Sequence, residues 1–293
     1  MLWYDFAGPH EAYVNIQQLN GRGYRWSGAA NGTVYYCARG DKWSWNEDEE
    51  SGDQFNIKRL TLFNVNGSGL GAHETDGILY DFGGAQFYRA LGSNGPYLSR
   101  GVMMIRDEFI AIYDDMEGDA SGAFQWFGGR PHISPVRTGP GDNLHIVSPQ
   151  EIQVAAKPFG AAVGGREFVL MSDRDQTADD GPLHFEGRTG YAREGELALF
   201  EGKSLRLGGF AISRDGGDFG FSARLAADGS IDGRIAGREG GTITIAAPGL
   251  DAVKVRVTVQ ERTVPHKAVD GGIAFDVKIS VPEGCKDFRV EKR

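Results

Sequence analysis

The stretch Tyr97–Met116 reads YLSRGVMMIRDEFIAIYDDM. Two apolar runs, Val102–Ile105 and Phe109–Tyr113, are joined by the polar tight turn Arg106–Asp107–Glu108. Turn residues between two runs of this kind predict a β-hairpin in which both strands bury at least one face. Arg100 comes before the hairpin, and a carboxylate pair, Asp114 and Asp115, closes it. The guanidinium of Arg100 could clamp a substrate carboxylate in a bidentate fork. It could equally pair with Asp114 or Asp115 across the two strands, and this structural pairing is the favoured reading.

Outward from the hairpin, the same kind of strand recurs. The 293-residue chain holds 44 Gly and 11 Pro, with the glycines at turn spacing and no G-X-Y period. Candidate strands include Thr33–Ala38, Ile78–Phe82, Leu144–Val147, Ile152–Ala156, Glu196–Phe200, Phe219–Ala223 and Thr242–Ala246, all rich in β-branched and aromatic residues. In Val253–Val259 (VKVRVTV) the valines alternate with Lys254, Arg256 and Thr258, which predicts one buried face. His10–Leu19 is a candidate short helix without a clean apolar stripe. The expected fold class is all-β: a large antiparallel β-sandwich over 1–172, then a smaller C-terminal β-sandwich-like domain over 190–293. The polar, turn-rich stretch between Ser172 and Gly190 is the expected boundary.

Charge and motifs narrow the function classes. A net charge of −9 makes nucleic acid a poor partner, because phosphate neutralisation needs clustered Lys and Arg. It also counts mildly against simple attraction to polyanionic sugars. No window is apolar enough for a membrane span. The opening MLWYDFAGPHEAY lacks the basic and apolar regions of a signal peptide. The two cysteines, Cys37 and Cys285, read as buried thiols, with one long-range bridge as the alternative. TVYYCARGD (Thr33–Asp41) looks like an antibody framework junction, but no cysteine precedes Cys37 and no W-G-x-G strand follows. GSGLG (Gly67–Gly71) lacks the Lys-Ser/Thr ending of a phosphate loop. No G-x-S-x-G elbow is present.

A few side chains carry chemistry that a binding or catalytic site could use. Trp43 and Trp45 are two apart and share one face of a strand. Such a face stacks on sugar rings if exposed and belongs to the core if not. The following NEDEESGD is a solvated acidic loop without EF-hand spacing. GAHETD (Gly71–Asp76) places His73 and Asp76 on a Gly-rich loop just before a strand, where an imidazole beside a carboxylate could move a proton. Tyr80 and Tyr88 follow on that strand, as packed aromatics or as proton donors. His73, Asp76 and His132 could together hold a structural divalent metal, although their spacing matches no known motif.

Three segments resemble heparinase II/III-like polysaccharide lyases. They are the hairpin above, with its R-x-V-hydrophobic and aromatic-hydrophobic-D pattern; the preceding ILYDFGGAQFYRAL (Ile78–Leu91); and ELALFEGKSLRLGGFAIS with FGFSARLAADGSIDGRIAG in the last third. The resemblance implies the C-terminal β-sandwich region of such a lyase. It implies β-elimination at a uronic acid, with His73 and Tyr80 in proton transfer and Arg100 on the substrate carboxylate. It implies no required cofactor, a polysaccharide partner, a separate helical domain or subunit, and an extracellular or periplasmic setting. Members of that family carry an α/α-toroid, and no stretch of this sequence reads as one. A non-catalytic carbohydrate-binding or accessory module is therefore the alternative expectation.

Overall fold

The computed structural model describes residues 1–16, 31–38, 41–44, 63–64, 69–71, 77–118, 123–124, 131–133, 144–147, 152–156, 159–163, 167–172, 183–279 and 285–293. Among these residues the only helical element is the 3-10 turn Ala252–Lys254, and the rest of the regular structure is strand. The chain is all-β, built from several antiparallel sheets. Contacts divide it into two units, Met1–Leu79 with Gln86–Thr177, and Tyr80–Ala85 with Ala178–Arg293.

The hairpin is at the centre of the first unit. Tyr97–Ile105 and Phe109–Met116 pair antiparallel, with Ile105 opposite Phe109 and the turn at Arg106–Glu108. Glu108 N donates to Ile105 O at 3.0 Å, and Arg106 Nε to Glu108 Oε1 at 2.8 Å. The hairpin belongs to a seven-stranded sheet that also takes in Glu167–Ser172 beside Phe109–Met116 and Ala85–Asn94 beside Tyr97–Ile105. One face, with Val102, Met104, Ile110, Ile112 and Met116, packs against the four-stranded sheet Leu2–Tyr4, Ala12–Ile16, Val34–Ala38 and Asp41–Ser44. The two sheets form a sandwich whose core includes Leu2, Val14, Val34 and Tyr36.

Local signals are overridden in two places. Within the candidate helix His10–Leu19, Ala12–Ile16 is a strand, with Ala12, Val14 and Ile16 buried and paired on both edges. Period-2 burial and two pairing partners decide it against a weak helical pattern. In VKVRVTV the alternation starts later than expected. Val253 is 83% exposed in the 3-10 turn, while Val255 and Val257 are buried.

The second unit is one sheet that turns over on itself. Leu183–Arg193 lies along the whole of Glu196–Leu207. On its other edge, Glu196–Leu207 pairs with Phe219–Leu225 through Glu196–Leu199 and with Phe210–Gly216 through Ser204–Leu207. Between those halves the register with Leu183–Arg193 slips repeatedly around Gly187 and Gly202. Bulges bend a strand and sharpen its twist, so the sheet turns its two wings toward each other at this point. Leu197, Leu199, Phe219, Phe221 and Phe288 from one wing share a core with Leu205, Ile212, Ile243, Ile245 and Phe275 from the other. The polar stretch expected as a boundary holds the start of this unit, since Leu183–Arg193 begins within it. Neither cysteine is bridged; Cys37 is buried and Cys285 partly so.

Candidate functional site

Tyr80 lies in the part of the second unit that is remote in sequence. In Glu196–Leu207, Leu197 and Leu199 point into the core, which puts Ala198 and Phe200 on the opposite face. That face is also buried, with Phe200 at 0% exposure. Phe82 stacks on Phe200 at 5.3 Å between centroids, and Tyr80 lies 6.4 Å from it. A glycine makes the approach feasible. A Cβ on Gly220 would come within 2.8 Å of Leu199 O, 3.1 Å of Tyr80 Cδ1 and 3.2 Å of Phe82 Cζ.

The Tyr80 hydroxyl donates to Asp218 Oδ1 at 2.9 Å. Arg214 is fixed close by. Its Nε donates to Gly202 O at 2.6 Å, its Nη1 to Gly217 O at 3.0 Å and to Phe219 O, and its guanidinium lies over the Phe219 ring. Burial raises the Tyr80 pKa well above the ordinary phenol value, and the Asp218 carboxylate raises it further, against the opposing pull of Arg214. Tyr80 is therefore a neutral phenol whose proton is held by Asp218, with 2% of its surface exposed.

Arg100 takes the structural alternative. It lies directly opposite Asp114 in the hairpin register. Its Nε and Nη2 donate to the two Asp114 oxygens at 2.7 and 2.8 Å, and Nη1 donates to Gly32 O at 2.7 Å. Tyr97 donates its hydroxyl to the same carboxylate. Both side chains of the pair are at 0% exposure. The Asp114 charge raises the Arg100 pKa despite the cost of burial, so the guanidinium stays charged. The fork closes on a carboxylate of this chain, which is the pairing favoured from the residues themselves, and both side chains of the pair are fully buried.

The other expected residues are only partly placed. His73, Asp76 and Trp45 lie outside the described residues. Trp43 is in the strand Asp41–Ser44, where the register against Val34–Ala38 shifts between the pairs Cys37–Lys42 and Tyr36–Ser44. His132 is in Pro131–Ile133, opposite His145 in a parallel pair. Among the described residues no three His, Cys, Asp or Glu side chains cluster as a metal site would; the expected set His73, Asp76 and His132 includes two residues, His73 and Asp76, that lie outside them.

Sequence reasoning missed one long-range pair of titratable side chains. His10 Nδ1 lies 3.1 Å from Asp107 Oδ2, with the imidazole side chain 62% exposed and the carboxylate 9%. The partners are 97 residues apart, one on the loop after Leu2–Tyr4 and the other at the hairpin turn, so spacing carried no signal for them. The carboxylate contact orients an imidazole that is otherwise largely exposed.

No protein-family model matches the chain, and no curated protein matches it by sequence. Solved structures do match. Chondroitin AC lyase of Streptomyces coelicolor A3, in complex with chondroitin sulphate, superposes at a TM-score of 0.58 and 14% identity, over 97% of this chain and 48% of that one. The chain has a polysaccharide lyase-like fold. A heparinase III superposes at a TM-score of 0.40 and 12% identity, over 93% of this chain and 39% of that one. The lyase-like chain thus spans about half the length of the lyase it matches better. No helix among its described residues is long and apolar enough to cross a membrane.

Proposed function

We propose that this chain is the β region of a polysaccharide lyase acting on a uronic-acid-containing polymer, with chondroitin-type chains as the first substrate class to test. The observation that carries the reading is the likeness to chondroitin AC lyase, which extends over 97% of this chain. The reaction is β-elimination. The uronate carboxylate is neutralised, a base takes the C5 proton, the C4–O bond breaks, and an acid protonates the leaving oxygen. This chemistry requires no cofactor. A structural divalent ion on His73, Asp76 and His132 would be separate from it.

In this reading His73 is the base candidate, Tyr80 the second proton-transfer candidate, and Trp43 and Trp45 the sugar contacts. Neutralisation of the carboxylate falls to a group other than Arg100, whose fork is closed on Asp114. A separate helical domain or subunit completes the cleft. The second reading is a carbohydrate-binding module without cleavage. It is favoured by the burial of Tyr80 and Arg100, both 2% exposed or less.

The test is ultraviolet absorbance of the unsaturated product on a panel of uronic-acid polysaccharides, with His73→Ala as control. Product that disappears in the variant supports a working site at the loop 71–76. Binding without product supports the module reading. Neither binding nor product would overturn both.

A further inference from the structure

We propose that the loop 4–11 of the first unit is a sugar subsite that takes an uncharged pyranose ring. This rests on the polysaccharide reading above and adds a subsite and its specificity to it. The exposed element is Phe6, at 74% exposure, in an edge-to-face contact with Trp3 at 4.7 Å between centroids. Single exposed aromatics are common and need no function. This one is held in place by its support. Trp3 N donates to Gln86 Oε1 at 2.8 Å, and Gln86 Nε2 donates back to Trp3 O at 2.9 Å. The Trp3 indole donates to Glu11 Oε1 at 2.8 Å and packs on Tyr13 at 5.4 Å.

The backbone beneath Phe6 is strained. Asp5 and Ala7 flank it at φ of 50° and 57°, in the left-handed region that non-glycine residues avoid. Such conformations are unfavourable for residues with a Cβ and concentrate at active sites and ligand clamps. The turn closes through Gly8 N to Asp5 O at 2.8 Å and His10 N to Asp5 Oδ2 at 2.9 Å. His10 then reaches Asp107 through Nδ1 at 3.1 Å, with the imidazole side chain 62% exposed.

A pyranose offers an apolar C–H face and a rim of hydroxyls. An exposed aromatic face suits the first, and an exposed imidazole with nearby carboxylates suits the second, because a hydroxyl can both donate and accept. Charge selects among sugars. Three carboxylates lie on or against this loop: Asp5 accepts from the His10 backbone N, Glu11 from the Trp3 indole, and Asp107 meets the His10 imidazole. A uronate or a sulphate ester would be repelled there, so the ring that stacks is the uncharged one. In a polymer that alternates uronic acid with a neutral amino sugar, holding the neutral unit here fixes which uronate reaches any other point on the chain.

The test is calorimetric titration with two probes, an unsulphated chondroitin hexasaccharide and an all-uronate oligogalacturonate. Phe6→Ala is expected to weaken the chondroitin probe roughly 3- to 10-fold, as loss of one aromatic contact should. Phe6→Tyr should retain the affinity, and His10→Ala should weaken it as an independent second variant. Oligogalacturonate affinity should not change in any of them. Unchanged chondroitin affinity in both Phe6→Ala and His10→Ala overturns the subsite while leaving the lyase reading intact. An equal loss on both probes overturns the uncharged-ring assignment. If the unmodified protein binds neither probe and yields no unsaturated product, the subsite and the reading it rests on both fail.

Discussion

At the scale of single residues, Arg100 and Asp114 show how one pair can satisfy a sequence pattern and still remove it from function. Arginine and aspartate opposite each other across a hairpin are what a carboxylate-binding site would need, and also what a buried ion pair needs. Burial decides between them, since both side chains are at 0% exposure. Removing one partner of such a pair leaves an uncompensated buried charge, which costs about 3–5 kcal/mol. Arg100→Ala is therefore expected to lower the unfolding free energy from urea titration by about that much, seen as a lower midpoint at unchanged slope. Arg100→Met with Asp114→Leu should recover part of the loss, because no charge is then stranded; a double variant as unstable as the single one would contradict this. The buried phenols give a pH signature. Burial raises the pKa of Tyr97 and Tyr80 well above the ordinary value, and that of Tyr13, aided by its hydrogen bond with Cys37, to about 12. The unfolded chain ionises its tyrosines near pH 10, where the folded chain still holds these protons. The contribution of the buried Tyr80 and Tyr97 is thus complete below about pH 10 and is lost as pH rises through the folded values, at up to about 1.4 kcal/mol per pH unit for each of the two; Tyr13, only partly buried, adds less because solvent screens it. Urea midpoints measured from pH 8 to 11.5 should fall at the alkaline end, and Tyr80→Phe should flatten that fall. An unchanged slope in Tyr80→Phe would mean that its phenol ionises normally in the folded chain.

At the scale of elements, the sequence was most legible where pattern and partner agree. Leu144–Val147 and Ile152–Ala156 are strands over the expected residues, and the hairpin turns at Arg106–Glu108 as expected. Short runs of β-branched residues between turn signals leave little room for another outcome. Legibility failed where an element depends on distant chain. Ala12–Ile16 is a strand because Leu2–Tyr4 and Val34–Ala38 flank it. Glu196–Leu207 continues past the expected end at Phe200 because Leu183–Arg193 supports it on one side and Phe210–Gly216 on the other. The candidate site was less legible still. Tyr80 could be singled out from its strand, but its partner Asp218 is 138 residues away. The His10–Asp107 pair spans 97 residues and was not singled out at all. Alternation in a sequence reveals which face of a strand is buried, but not which loop from elsewhere covers it.

At the scale of the whole molecule, the second unit is discontinuous in sequence, because Tyr80–Ala85 packs with Ala178–Arg293. This has a consequence for any attempt to study that unit alone. A cut at Gly190, the expected domain start, would sever Leu183–Arg193, the strand paired along the whole of Glu196–Leu207. A cut at Ala178 keeps that strand but loses Tyr80 and Phe82, whose rings cover Phe200 and close over Gly220. Exposing a buried aromatic costs roughly 1.5–3 kcal/mol, so losing two such contacts should cost about 3–6 kcal/mol. That is a large share of the 5–15 kcal/mol typical of a domain. A fragment of 178–293 is therefore expected to be marginal. The same fragment carrying residues 78–85 on a flexible Gly/Ser linker should regain most of the difference, read as urea midpoints under one buffer. Phe82→Ala in the linked form should abolish the gain, because the stacking on Phe200 is its source. Equal midpoints for the fragment with and without 78–85 would mean that the Phe200 face is stable uncovered, and that the Tyr80–Asp218 contact contributes nothing to holding the unit together.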